Sequence, residues 1–134
     1  MKFNQNISED YNSIVNVSSE LIRLNNCKFD KTFIVTNNET VQDLNLTLIA
    51  DLKKQHITQL LSLQPEIIII GSGLSLQFPN VDVLQEVARK NLGLEVMNNQ
   101  SAARTYNVLV AEGRKVACLL ILHENPHHNP NDKV

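Results

Sequence analysis

Four consecutive isoleucines, Ile67 to Ile70, constrain the fold of this chain more than any other feature of its sequence. Pro65 precedes the run and Gly71 follows it. Because no polar residue interrupts the run, both faces of the segment must be covered, which is typical of a central strand in a parallel sheet with helices on both sides. Burying the four side chains contributes roughly 6–12 kcal/mol, comparable to the net stability of a small domain.

Length and composition indicate one globular α/β domain. Of the 134 residues, 43% are hydrophobic and 19% are charged. We expect residues 13–122 to form the domain, residues 1–12 to be a polar lead-in and residues 123–134 to be a flexible tail. A net charge of −2 provides no concentrated positive surface, so nucleic acid is not expected as a partner.

Three features favour a cytoplasmic location. The amino terminus has neither the apolar stretch of a secretory signal nor the arginine-rich pattern of a transit peptide. No apolar run approaches the ~18 residues of a membrane span, so we expect none. Cys27 and Cys118 lie far apart without CxxC spacing, which indicates reduced, packed thiols.

The residues before the isoleucine run predict extended structure. Residues 20–24 are β-prone, and Asn25 and Asn26 supply a turn before a second strand over residues 27–36. We expect these two strands to form an antiparallel hairpin, and residues 41–46 to add a short extended piece.

Helices and strands are predicted to alternate after residue 50. Asp51 and Asn80 stand at N-cap positions, and Gly93 is placed to end a helix in the left-handed conformation. This order predicts a mostly parallel sheet flanked by helices, with the hairpin as a further β layer, in a three-layer α/β domain. The helices are predicted over residues 51–63, 80–92 and 101–112, and the strands over residues 67–70, 94–97 and 116–122.

Gly71-Ser72-Gly73 follows the isoleucine strand, at the place where nucleotide-binding and hydrolase motifs carry their glycines. The dinucleotide fingerprint fails because Leu76 replaces its third glycine and the next helix begins too late. Ser72 also lacks the G-x-S-x-G context of a hydrolase nucleophile. We therefore expect a tight strand-to-loop turn in which Ser72 makes hydrogen bonds, and no cofactor.

His123, His127 and His128 are the residues that could hold a metal ion in the tail. Proline between them breaks any helix that would align the rings, and no cysteine or carboxylate cluster supports them. We therefore expect no metal site.

The polar segment from Arg104 to Arg114 leaves two interpretations open. In one, Glu112 and Arg114 lock the corner between a helix and a strand through charge-assisted hydrogen bonds. In the other, the segment contributes to a recognition surface near the glycine turn. This surface, the predicted polar patch, consists of Gly71, Ser72, Gly73, Arg104, Asn107, Glu112 and Arg114.

The ordered pattern of these segments resembles the small, largely uncharacterised family that includes mitochondrial respiratory complex I assembly factor 3. The pattern comprises Pro65-Glu66 with the isoleucine run, Gly71-Ser72-Gly73, residues 93–97, Ala102 with residues 104–109, and Glu112-Gly113-Arg114. The resemblance covers roughly residues 13–122 and implies a compact three-layer domain. It also implies a non-enzymatic protein that acts through protein partners.

Two functions are left open. The first is a non-catalytic interaction module, an assembly or maturation factor for a membrane-associated respiratory complex, in a bacterial cytoplasm. The second is a small-molecule-binding protein or enzyme with a pocket at the Gly71–Gly73 turn, because ligands of parallel-sheet folds collect at the carboxyl ends of strands. An unpaired hairpin edge could also pair with a second copy, which would give a homo-oligomer.

Overall fold

Eight strands and three α-helices follow one another in residues 10–123, the part of the chain that this computed structural model describes. The strands are β1 (Ile14–Val17), β2 (Ile22–Leu24), β3 (Lys28–Phe29), β4 (Phe33–Thr36), β5 (Thr40–Val41), β6 (Ile67–Gly71), β7 (Gly93–Met97) and β8 (Val116–Leu120). The helices are α1 (Lys54–Ser62), α2 (Val81–Ala88) and α3 (Asn99–Ala111), and a short 3₁₀ helix at Ile49–Asp51 precedes α1.

The strands form two sheets. β1, β2 and β3 make a small antiparallel sheet, and the other five make a sheet in the order β5-β4-β8-β6-β7. β6 runs parallel to both β7 and β8, whereas β4 is antiparallel to both β5 and β8. The α/β class is confirmed, and the large sheet is mixed, because β4 runs opposite to the other four strands.

The opposite direction of β4 is explained by the region predicted as a hairpin. Its second strand, predicted over residues 27–36, is two strands in different sheets: β3 pairs with β2 as predicted, and β4 joins the large sheet. The crossing between them is anchored by Thr32, whose hydroxyl accepts a hydrogen bond from the backbone N–H of Leu122 at 3.0 Å. β-propensity does not show which sheet a strand will join.

β6 contains the isoleucine run and is buried between two neighbouring strands. Ile68, Ile69 and Ile70 are each 0% exposed, so the expectation of a dry interior strand is confirmed. Ile69 packs on the α3 side of the sheet, and Ile68 and Ile70 pack on the opposite side. The strand in the middle of the five is β8 rather than β6.

The large sheet separates two hydrophobic cores within the described residues. One core joins it to α3 and to the small sheet, through Ile22, Phe29 and Tyr106 among others. The other joins it to α1, α2 and the segment before α1, through side chains such as Leu60 and Val87. The predicted three layers and N-terminal β layer are therefore present, and the β layer lies on the same side of the large sheet as α3.

Two helix boundaries differ from the prediction. Asp51 is not the N-cap of α1 because it ends the 3₁₀ helix, and Lys53 occupies the cap position. Gly93 does not end α2 but begins β7, and Asn91 adopts the left-handed conformation instead, with φ 59°. Asparagine is the residue that most often replaces glycine in this role.

α3 begins earlier than predicted. Asn98 is its N-cap, with Oδ1 accepting a hydrogen bond from the backbone N–H of Ser101 at 2.8 Å. The helix ends before Gly113, whose φ of 84° fits the predicted glycine stop.

His56 links α1 to the segment before it. Its Nδ1 accepts a hydrogen bond from the backbone N–H of Lys53 at 2.9 Å, and its ring also hydrogen-bonds the backbone of Leu44. The residue is 5% exposed, and burial is the main cause that lowers the pKa of His56 below its ordinary value of 6.5. The fold therefore favours the neutral imidazole.

We expect the neutral form of His56 to make stability depend on pH. Because the folded pKa of His56 is lowered, its contribution is complete above about 6.5 and is lost as the pH falls through the folded pKa. Urea unfolding at about pH 7.5 and about pH 5 should show a larger loss of unfolding free energy in the wild type than in His56→Gln. Equal losses in the two proteins would contradict this role.

Candidate functional site

Ser72 is the first residue after β6 and lies in a turn that several hydrogen bonds hold. Its backbone N–H donates to the Met97 carbonyl at 2.9 Å, and its hydroxyl donates to the Ser75 carbonyl at 2.8 Å. The hydroxyl also accepts from the backbone N–H of Gln77 at 3.0 Å. Ser72 is 0% exposed, so its side chain supports the turn, as the sequence predicts, and is not presented as a nucleophile.

Asn99 connects this turn to α3 and to the end of β8 through hydrogen bonds. Its Oδ1 accepts from the backbone N–H of Gly73 at 3.1 Å, and its Nδ2 donates to the Ile121 carbonyl at 2.9 Å. Its own backbone N–H donates to the Gly73 carbonyl at 2.8 Å. Gly71 leaves room for this side chain, because a Cβ there would collide with Asn99 Oδ1 and would lie 2.7 Å from the Leu120 side chain.

Gly73 lies directly under the imidazole of His123. Its φ of 114° is in the left-handed region, and a Cβ would lie 2.9 Å from His123 Nε2, so only glycine fits without displacement. This Nε2 is buried and has no hydrogen-bond partner among residues 10–123. The ring therefore covers the turn without being fixed by a hydrogen bond at that nitrogen.

A cavity of about 340 Å³ opens beside Gly73. The β1–β2 turn, the exit of β6, the start of α3 and the segment after β8 form its walls. The volume is near the lower end of the ~300–1,000 Å³ that is common for small-molecule sites. Its lining includes Val17, Ser19, Gly73, Gln100, Ile121 and His123.

The residues of the predicted polar patch lie at both ends of the large sheet. Gly71, Ser72 and Gly73 are at the carboxyl end of β6, whereas Glu66 and Arg114 meet at its amino end. Arg114 Nε donates to Glu66 Oε1 at 2.7 Å, and this bond is the main cause that lowers the pKa of Glu66. Arg114, which lies between α3 and β8, therefore makes a charge-assisted hydrogen bond, and its partner is Glu66.

The remaining members of the predicted patch lie along α3. Asn107 holds β1, because its Oδ1 accepts from the backbone N–H of Ile14 at 2.9 Å and its Nδ2 donates to the carbonyl of the same residue at 2.8 Å. Arg104 is exposed and lies 3.5 Å from the Ser101 hydroxyl, and Glu112 is exposed at the helix end. None of these three side chains lines the cavity beside Gly73.

Four large apolar side chains are exposed on the chain that leaves the Ser72 turn. They are Leu74, Leu76, Phe78 and Val81, with exposed fractions of 74%, 51%, 63% and 64%. We call residues 74–81 the apolar loop. This feature was not predicted from the sequence, although three apolar residues that alternate with polar ones outside any predicted element are a usable signal. A contiguous exposed apolar patch commonly marks an interaction site.

Neither a cluster of metal ligands nor a membrane-spanning helix is found among the described residues. Within residues 10–123, no three His, Cys, Asp or Glu side chains lie close enough together to hold a metal ion. In the same part of the chain, none of the helices combines the length and the apolar character needed to cross a bilayer. His127 and His128 lie outside the described residues.

Substitution of Asn99 tests the importance of the junction that it makes. In Asn99→Ala the Gly73 N–H and the Ile121 carbonyl lose buried partners, so the free energy of unfolding should fall by about 2–4 kcal/mol in urea. Arg114→Ala, which removes an exposed ion pair, is the control and should have a much smaller effect. A loss in Asn99→Ala no larger than in Arg114→Ala would show that the junction is not needed.

Comparison with known proteins identifies relatives over most of the described chain. A family model described as "protein of unknown function (DUF498/DUF598)" matches residues 14–121. The chain is 36% identical over 73 residues to the "13 kDa major membrane protein" of Francisella tularensis, which covers 54% of this chain and 59% of the other. It is 26% identical over 97 residues to NADH dehydrogenase (ubiquinone) 1 alpha subcomplex assembly factor 3 of Drosophila melanogaster, covering 69% and 50%. The matches thus span less than two thirds of these relatives.

A solved structure shares the fold. The NMR structure of a Xanthomonas campestris protein superposes with a TM-score of 0.77 at 33% identity, covering 96% of this chain and 100% of that one. The resemblance inferred from the sequence is therefore confirmed, and the chain belongs to the DUF498/DUF598 family of proteins of unknown function.

Proposed function

We propose that this chain is a non-catalytic docking module that assists the assembly of a membrane-associated complex by binding a protein partner. The apolar loop is the observation that carries the proposal. The relative named as an assembly factor and the relative named as a membrane protein support it. Unpaired Cys27 and Cys118 support a cytoplasmic location, since reducing compartments keep thiols free.

The apolar loop is anchored at both of its ends. It begins beside the hydrogen-bonded Ser72 turn, and it ends in α2, whose Val83 and Val87 are buried against the large sheet. Anchoring at both ends lowers the entropy that a partner must remove on binding. Covering the exposed parts of the four side chains would contribute roughly 1–2 kcal/mol each, which is enough for the centre of a transient interface.

The chemistry of the loop favours a protein surface over a lipid surface. Residues 74–81 contain no lysine or arginine, the residues that peripheral membrane segments use to bind anionic headgroups. Ser75, Gln77 and Asn80 lie between the apolar residues and are exposed. This mixture of apolar anchors and uncharged polar groups is typical of protein–protein interfaces.

The proposal is tested by capturing partners from the native host with two matched double variants. Leu76→Ser/Phe78→Ser should reduce recovery of the proteins enriched by the wild type at least about tenfold, because it removes two exposed anchors. Val15→Ser/Val108→Ser removes two equally exposed apolar side chains elsewhere and should leave recovery unchanged. No enrichment by the wild type, or equal recovery by both variants, would contradict the docking function.

The cavity beside Gly73 favours a second candidate, a small-molecule-binding protein. It lies at the carboxyl ends of parallel strands and is lined by His123, whose Nε2 has no partner within residues 10–123. A thermal-shift screen against a metabolite panel should then give a ligand response that disappears in Ser19→Trp, which adds a large side chain to the lining, and persists in Arg104→Ala, which lies outside the lining. The absence of any response, or its loss in Arg104→Ala, would exclude this site.

A further inference from the structure

We propose that strand β7 receives an extended segment of the partner as a sixth strand of the large sheet, and that this segment places a basic side chain opposite Glu95. The inference rests on the proposed docking function and deepens it, since it states the form and charge of the partner segment. Peptide addition to a sheet edge is a recurrent mode of recognition, in which main-chain hydrogen bonds provide affinity and side chains provide specificity.

β7 is the longest open strand edge in residues 10–123. It pairs with β6 through five residues on one side, and no described strand lies on the other. The outer strands β3 and β5 have two residues each, and the edge of β1 is closed where the Asn107 amide takes the N–H and the carbonyl of Ile14. β7 contains no lysine, proline or bulge, and its one charged residue is Glu95.

The hydrogen bonds of β7 show which of its backbone groups face outward. The Met97 carbonyl accepts from Ser72, the residue directly after β6, so the peptide groups of Met97 face β6. Because successive residues of a strand point to alternate sides, those of Glu95 and Gly93 also face β6. The N–H and carbonyl groups of Leu94 and Val96 therefore face the open edge, where no hydrogen bond to another described residue occupies them. Two donors and two acceptors are available to one further strand.

The side chains of β7 define the complementary sequence. Leu94 and Val96 are half-buried on the side of the sheet covered by α1 and α2, and apolar side chains of an added strand would lie beside them. Glu95 is exposed on the other side and takes part in neither of the ion pairs found among residues 10–123. Directly paired residues have Cβ atoms ~4.5–5.5 Å apart, so a lysine or arginine there would meet the Glu95 carboxylate. The pattern expected is apolar, basic, apolar.

The same charge argues against a second copy of this chain as the occupant. Antiparallel pairing of two β7 strands about their centres would place Glu95 opposite Glu95, and like charges directly across a ladder are destabilising. A segment of a different protein is free of this repulsion. Self-pairing is nevertheless an outcome that the experiment must detect.

The experiment titrates the full ¹⁵N-labelled chain with two peptides that differ in one charge, Ac-Thr-Val-Lys-Val-Thr-NH₂ and Ac-Thr-Val-Glu-Val-Thr-NH₂. With the Lys peptide at millimolar concentration, the amide signals of Leu94 and Val96 should shift and their hydrogen exchange should slow at least about twofold. The Glu peptide should have a smaller effect, and Glu95→Lys should reverse the preference. No response at β7 to either peptide, an unchanged preference in Glu95→Lys, or slowing with protein concentration alone would overturn the proposal.

A proline variant tests the backbone contacts. Val96→Pro removes an N–H that faces the open edge while keeping the bonds to β6, so it should abolish the response to the Lys peptide in the folded protein. If this variant does not fold, the charge reversal in Glu95→Lys decides the question alone.

Capture of partners from the native host with the Glu95→Lys variant separates the edge proposal from the docking function. Undiminished capture by this variant, with loss only in Leu76→Ser/Phe78→Ser, refutes the edge proposal and leaves the docking function intact.

Discussion

The side-chain amide of Asn99 joins three pieces of backbone that are far apart in the sequence. It bonds the Gly73 N–H at the exit of β6 and the Ile121 carbonyl after β8, and its own backbone begins α3. Asn99 is 5% exposed, so water has little access to replace these bonds. The apolar loop and the cavity both begin at this junction, and their positions depend on it.

The same use of an amide recurs elsewhere in the described chain. A side-chain amide carries the donor and the acceptor of a peptide group, so it can take the place of a neighbouring strand where pairing stops. Asn37 bonds the Val116 N–H and the Arg114 carbonyl at the start of β8, and Asn107 closes the edge of β1. The open edge of β7 contrasts with these closed ends, whereas the apolar loop begins at the junction that the Asn99 amide makes.

The sequence predicted the buried layers well because they depend on apolar patterning. The isoleucine run and the apolar run that contains Cys118 are both interior strands. The sequence did not predict which distant strands pair with one another. Residues 27–36 were predicted as one strand, but β3 and β4 belong to different sheets. The residues of the predicted polar patch do not lie together, for a related reason: α3 has 13 residues, about 20 Å at 1.5 Å each, and it carries the chain from beside Gly73 to the opposite end of the sheet before Arg114. The cavity is lined by Ser19, Gln100 and His123, which lie far apart in the sequence, so no local sequence pattern predicts that they meet.

The hydrogen-exchange rate of the Gly73 amide in the free chain measures whether Asn99 holds the end of β6 in the core. If Asn99 makes this junction part of the core, the Gly73 amide should exchange nearly as slowly as those of Ile69 and Ile70, while the amides of Leu76 and Phe78 exchange fast. An exchange rate at Gly73 equal to that of the apolar loop would show that the junction opens independently of the sheet, and the proposed platform for docking would be wrong.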